Sequence, residues 1–253
     1  MELAALDPAL LGPPLVAGLL VLATHLPLGR RVLQRGIVFL DLAIAQFAGL
    51  GVIVAHVAGW EANLAVQATA FAAALAGAAL LAWSDRYWPQ RQEALIGSSF
   101  VVVACVAALL LANDPHGGEA LQNLLVGQIL WVSTGQLAAA AGLTLLVALL
   151  WRPLAGRRIG FYTLFALAIT TSVQLVGVYL VFASLILPAL ATLGRVQGWA
   201  LVAFAVGTAG YAGGLVLSAL TDWPTGPLIV VSLAACALLG GMAGPVAASH
   251  RRR

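Results

Sequence analysis

Residues 157–195 read RRIGFYTLFALAITTSVQLVGVYLVFASLILPALATLGR, an uninterrupted apolar run of about 35 residues held between Arg157/Arg158 and Arg195. One membrane span takes about 20 apolar residues, within a range of about 17–25. The run is too long for one span and short for two full spans and a turn. Arginine marks the cytoplasmic side of a membrane protein, so arginines at both ends require the chain to enter and return to the same side. A broken or partly re-entrant pair meets that requirement, with Gly177 as the break and Pro188 opening the final turn. Two short tilted helices joined by an ordinary turn is the competing reading.

The rest of the chain agrees with a membrane setting. Of 253 residues, 62% are hydrophobic and only 8% charged, with a mean hydropathy of +1.02. Soluble domains carry roughly 25% charged residues, and a water-soluble fold of this length has no means of covering so much apolar surface. A soluble enzyme, a nucleic-acid binder and a disordered chain are excluded. All 12 basic residues are arginine and lysine is absent. The chain therefore supplies no P-loop lysine and no lysine Schiff base.

Further apolar runs fall at about residues 10–28, 36–58, 64–83, 94–112, 136–151, 199–220 and 227–246, with a polar stretch at 113–123. The predicted fold class is all-α, a polytopic membrane helix bundle of about eight spans forming one transmembrane domain over residues 1–253, with no soluble domain. Trp60, Trp83, Trp88, Trp131, Trp151, Trp199 and Trp223 all lie near run ends, where indole rings sit at the headgroup level. Arg30, Arg31 and Arg35 follow the first run, Arg86 and Arg91 the third, Arg152, Arg157 and Arg158 the fifth, and Arg195 and Arg251–Arg253 later ones. The intervening loops, around His56 to Glu61, Asp114 to Glu119 and Asp222, hold none. The positive-inside rule then predicts an outside N-terminus and a cytoplasmic C-terminus. The acidic Glu2 and Asp7 argue against a signal peptide. Cys105 and Cys236 sit singly in apolar runs and read as buried packing residues. Small residues at 48–51, 71–79 and 207–214 predict close helix packing.

Asp41 is the one acidic residue well inside a span, about 8 Å past its cytoplasmic end at 1.5 Å per residue. An ionisable group at that depth is by default a functional candidate. Gln46 and Gln174 could join it along one lumen; the plainer reading pairs Asp41 with Arg35. The stretch Asn113–Glu119 brings Asp114, His116 and Glu119 within a few residues, a donor set suited to cation contact on the outside. It also matches a solvated Pro/Gly turn. His25 and His56 read as helix-end residues. No Ser-His-Asp set, phosphate loop or HExxH helix is present, so catalysis has no support.

The segment QLVGVYLVFASLILPALAT at 174–192 resembles the end of the central apolar pair in the zinc/manganese family of ABC-transporter permeases. GLVLS at 214–218, followed by DWPTGP at 222–227, resembles the join of that family's last two spans. Arg35-Gly36 through Asp41, and EALIG at 93–97, follow in the same order. The resemblance implies a type II ABC importer permease working as a homodimer or with a similar subunit. It implies two cytoplasmic ABC ATPase subunits that use the ATP, an extracytoplasmic metal-binding protein, and Zn²⁺ or Mn²⁺ as substrate, with no cofactor held by this chain. It puts the protein in the cell (inner) membrane, in contact with the lipid bilayer and with no nucleic acid. It places Leu187, Pro188, Ala189, Leu190, Ala191 and Thr192 at the element that docks the ATPase. One departure stands out: family members carry His four residues after the Asp of the second span, whereas position 45 is Ala here, with Gln46 beside it. A transition metal prefers imidazole over an amide. A stand-alone proton-coupled secondary transporter, an ABC permease for another substrate and a non-transporting scaffold are the alternatives.

Overall fold

The computed structural model describes residues 7–60, 62–112 and 114–242, apart from the side chain of Ala120. Glu2, Glu61, Asn113, the end of the last predicted span at Val246 and Arg251–Arg253 lie outside the described residues. The described residues form ten α-helices and no strand: α1 (Pro8–Arg35), α2 (Leu40–Val57), α3 (Asn63–Tyr87), α4 (Gln92–Leu110), α5 (Gly117–Val126), α6 (Thr134–Leu154), α7 (Arg158–Val176), α8 (Val178–Ala191), α9 (Trp199–Thr221) and α10 (Thr225–Met242). Eight are long and apolar enough to cross a membrane: α1 to α4, α6, α7, α9 and α10. The remaining two, α5 and α8, have 10 and 14 residues. At 1.5 Å per residue α8 is about 21 Å long, less than the ~30 Å apolar core of a bilayer.

Helix ends follow local chemistry. Asp7 caps α1 by accepting the Ala9 N–H at 2.8 Å, with Pro8 at the first helical position. Gly36 ends α1 in the left-handed conformation at φ 68°. Ser133 and Gln136 form a reciprocal capping box at the start of α6.

The predicted break is present at Gly177. α7 stops at Val176, α8 starts at Val178, and Gly177 between them has φ 80° and ψ 164°. That combination is open in practice only to glycine. No multi-residue turn joins the two helices. The reversal is visible at the arginine-bearing end, where the last turns of α1 touch both arms: the Arg35 guanidinium lies 4.3 Å from the Phe161 ring centroid near the start of α7, and Arg30 donates to the Arg195 carbonyl just past α8.

A second half-helix, absent from the sequence reading, meets this break. The predicted polar stretch at 113–123 is instead mostly α5, which ends at Gly127 with φ 72° and ψ 175°. Gly127 packs backbone to backbone on Val176 and Gly177, and a Cβ on either glycine would overlap the other segment's main chain. Leu121, Leu124 and Leu125 of α5 face the same cavity as Tyr179 and Phe182 of α8. Composition hid α5, because Gly117, Gly118, Glu119, Gln122 and Asn123 depress its hydropathy.

Small residues bring the long helices together as predicted. Gly51 of α2 meets the backbone at Thr69 and Ala70, Gly77 meets Phe47, Gly207 meets Leu22, and Gly210 and Gly214 of α9 meet Leu233 and Ile229 of α10. α7 is the most buried span; α4 and α6 are the most peripheral. Where α3, α4 and α7 meet, buried Gln92 donates to the Leu81 carbonyl at 2.9 Å and to the Tyr162 hydroxyl at 3.0 Å, and accepts from Ser84 at 2.9 Å. Such satisfaction is obligatory where water is excluded. Cys236 is half-buried, but Cys105 is exposed on α4, against the expectation that both are buried, because that helix turns most of its surface away from the protein.

Replacing Gly177 with Ala forces a side chain into glycine-only backbone space and into the α5 main chain, a cost of at least about 3 kcal/mol. We expect thermal unfolding in detergent to show Gly177→Ala strongly destabilised or aggregated. Gly142→Ala is the control: this α6 glycine has open space around its Cα, and should melt at or slightly above the wild-type temperature.

Candidate functional site

Asp41 lies in the first turn of α2 and is 1% exposed. The partial positive charge of a helix N-terminus favours an anion there. Neither carboxylate oxygen has a hydrogen-bond partner among the described residues. Arg35 does not supply one, since its guanidinium stacks on Phe161. Glu93, at the start of α4, reaches the same helix end: one oxygen accepts the Phe39 N–H at 3.3 Å and the other is buried without a partner. Two carboxyl groups with unsatisfied oxygens thus share the N-terminus of α2, near the arginine-bearing end. Burying an uncompensated charge is expensive, so this arrangement calls for a proton or a cation.

Gln46 does not face Asp41. Five residues along a helix amount to a rotation of about 140°. Gln46 lines a cavity of about 930 Å³ between α2, α4, α5, α8 and α10, together with Ala45, Phe100, Leu124, Tyr179 and Phe182. Gln46 is the one amide in a wall that is otherwise almost wholly apolar. Gln174 belongs elsewhere. It lies between a cavity of about 410 Å³, which also touches His56, Asn123, Gln128, Trp131 and Gln136, and a groove of about 800 Å³ over α7, bounded by Asn63, Gln67, Phe71 and Ser133. Gln67 of α3 donates to the Gln174 side-chain oxygen, and the Gln174 amide nitrogen is buried without a partner. Asp41 is thus buried at the start of α2, apart from these cavities, whereas Gln46 and Gln174 line adjoining ones that share Ile53, Leu124 and Val173.

At the end opposite the arginines, Asp114 accepts the His116 N–H at 2.8 Å and bonds the His56 ring at 3.0 Å, tying the end of α2 to the α4–α5 connection. His116 turns instead to Glu119, 3.6 Å away, both well exposed. Asp114, His116 and Glu119 do not converge, and among the described residues no three His, Cys, Asp or Glu side chains gather to hold a metal ion. Sequence reading missed Glu93, Gln67, Gln136 and the role of His56. An amide inside a span is a detectable signal, because it must find a partner. The His56–Asp114 contact joins residues 58 positions apart and leaves no local trace.

Leu187–Thr192 forms the end of α8 and the first residue beyond it. Pro188 and Ala189 are buried, and the Thr192 hydroxyl donates back to the carbonyls of Pro188 and Ala189 at 3.2 and 3.1 Å. Leu190, Leu193 and Val196 are exposed at 50%, 56% and 85%. An apolar ridge thus projects from the arginine-bearing end, beside Arg195.

The ten packed helices of the described residues, eight of spanning length and two broken at facing glycines, define a multi-pass membrane protein. The sequence profile described as the ABC 3 transport family matches residues 9–156 and 153–244, and the chain belongs to that family. PsaBC from Streptococcus pneumoniae, solved in complex with a Fab, is similar in structure with a TM-score of 0.77 at 18% identity, over 97% of each chain. A metal-chelate type ABC transporter in an inward-facing conformation is similar with a TM-score of 0.62 at 16% identity, covering 91% of this chain and 84% of that one. No curated protein sequence matches.

The His116 N–H, then the His56 ring, hold the Asp114 carboxyl below its ordinary value of 3.8. A depressed carboxyl pKa contributes stability above the unfolded value, which is lost as pH falls through the folded value. Asp114→Asn should therefore melt slightly below wild type at pH 6, and the difference should shrink as the pH falls below 3.8 in a series of thermal unfolding curves.

Proposed function

We propose that this chain is the membrane-spanning permease subunit of an ATP-driven importer for a divalent transition metal, Zn²⁺ or Mn²⁺. It forms the translocation path and docks separate ABC ATPase subunits through the turn after α8; Pro188, expected to open that turn, lies buried within α8 and supports it from behind. The observation that carries this reading is the exposed apolar ridge Leu190, Leu193 and Val196, projecting from the arginine-bearing end of a chain in the ABC 3 transport family. By the positive-inside rule that end faces the cytoplasm, with the N-terminus outside. Exposed leucine and valine at a polar surface mark a protein interface. The complete absence of lysine fits ATP hydrolysis in another chain.

Two copies would place their apolar α2–α4–α5–α8–α10 cavities face to face, so that Gln46 and the carboxyl pair Asp41 and Glu93 from each serve one path. An extracytoplasmic metal-binding protein would deliver substrate at the opposite end, near Asp114, His116 and Glu119. A conduit must release its ion, and sparse weak donors suit release better than a closed set of imidazoles.

One observation favours a second reading. The large cavity is lined by Ala45 and by apolar side chains, with Gln46 and the Tyr179 hydroxyl as its polar groups. An apolar wall with one amide suits a metal bound within an organic chelate, whose outer surface is apolar and hydrogen-bonding.

In proteoliposomes containing the permease and its ATPase, Asp41→Asn should lower Zn²⁺ and Mn²⁺ uptake about tenfold or more while the complex still assembles. Uptake equal to wild type would return Asp41 to a structural role. Leu190→Ser with Leu193→Ser should abolish ATPase co-purification without changing the thermal stability of the permease.

A further inference from the structure

The turn between α8 and α9 projects from the bundle, with the Leu193 N–H bonded to the Leu190 carbonyl at 3.1 Å and the Arg195 N–H to the Thr192 carbonyl at 3.0 Å. Gly194, Val196, Gln197 and Gly198 are exposed, and α9 starts after Gly198, at φ 65°, with no side-chain cap. Arg30 of α1 reaches both ends of its second half. Its Nη2 donates to the Arg195 carbonyl at 3.1 Å, and its guanidinium lies 4.3 Å from the centroid of the Trp199 ring. One side chain thus brackets residues 195–199.

The backbone beneath Arg30 is itself fixed. Its neighbour Gly29 packs directly on the Leu185 carbonyl of α8, leaving no room for a Cβ. Farther along, Gly18 of α1 lies under the Tyr211 ring of α9, and the Tyr211 hydroxyl is 2.8 Å from Ser184 of α8. α1, α8 and α9 are therefore locked along their lengths, and Arg30 extends that lock to the turn. Its neighbours do different work: Arg31 donates to the Ala155 carbonyl and stacks on Trp151, and Arg35 stacks on Phe161. Those contacts secure the α6–α7 side.

We propose that Arg30 is the positioning residue of the α8–α9 turn, holding residues 192–198 against the α1–α8–α9 block so that a docked ATPase moves that block as a unit. This rests on the permease reading above. Lysine does not substitute: its ammonium is a point donor without the planar face that stacks on indole while a separate N–H reaches the carbonyl.

The test measures hydrogen exchange on the full chain in lipid nanodiscs, beside the affinity for the ABC ATPase that co-purifies with the wild-type chain. In Arg30→Lys, the hydrogen-bonded turn amides of Leu193 and Arg195 should exchange about tenfold faster or more, while protection around Gly29 and Leu185 is unchanged, and ATPase affinity should fall about tenfold. Turn exchange equal to wild type overturns the proposal. If Arg30→Lys loosens the whole chain, Trp199→Leu, which removes only the stacking surface, decides: local loosening of the turn upholds the proposal, and an unchanged turn overturns it. If turn exchange rises but ATPase affinity does not fall, the docking role is overturned. If no ATPase co-purifies with the wild-type chain, the permease reading fails and the docking role with it, whatever the exchange of the turn.

Discussion

The main-chain contact between Gly127 and Gly177 is the constraint on which the rest of the structure depends. A chain that enters the bilayer and returns within 35 residues has to expose backbone at membrane depth, where unsatisfied amides and carbonyls are costly. Here the exposure is kept to single residues. The Gly177 N–H bonds the Val173 carbonyl at 2.8 Å and the Gly177 carbonyl accepts from Val181 at 3.1 Å, so both helices run up to the break without losing their ladders. The Gly127 N–H likewise closes α5 on the Asn123 carbonyl at 2.9 Å. Each break then covers the other. Gly226, at the start of α10, closes over the Val126 carbonyl, so three segments meet at one point with no side chain between them.

Everything mechanical follows from that crossing. α8 is short because it starts at the break, and its free end therefore emerges at the arginine-bearing end as a turn. α1 runs the full thickness beside it and seats three arginines on three aromatic rings from α9, α6 and α7. Stacking on an aromatic face lets a cation sit at the membrane boundary while its stem covers apolar surface. The arginines of α1 are thus fasteners of the connections around it. The large apolar cavity lies on the other side of α8, against α5 and α10, so a displacement of the α8–α9 turn would alter that cavity directly.

The architecture was legible in sequence because charge is so sparse. Each arginine cluster marks one return to the same end, and parity between Arg157/Arg158 and Arg195 forced the reversal that hydropathy alone would have merged into one long span. Gly177 was the natural break for the same reason. α5 was not legible: ten residues with two glycines and three polar side chains read as a loop, and the packing of Leu121 and Leu124 on Ile53, Ala107 and Leu111 comes from distant segments. The candidate site was legible in part. Asp41 stood out because a carboxylate in a span is rare, but helical rotation turns Gln46 away from it, and Gln174 lines a cavity beside the far half of α2, with Val52, Ile53 and His56. Glu93 escaped notice as a residue at a span boundary, where acids are ordinary; only the fold brings it to the start of α2.

Cross-linking offers the most direct test of the central claim, that the α8–α9 turn at the arginine-bearing end is where an ATPase binds. In a Cys105→Ser, Cys236→Ser background, single replacements Leu193→Cys and Leu64→Cys place reactive thiols at opposite ends of the bundle. In membranes containing the ABC ATPase, Leu193→Cys is expected to cross-link to it and Leu64→Cys is not. Cross-linking from Leu64→Cys, or from neither position in a complex that hydrolyses ATP, would contradict the assignment.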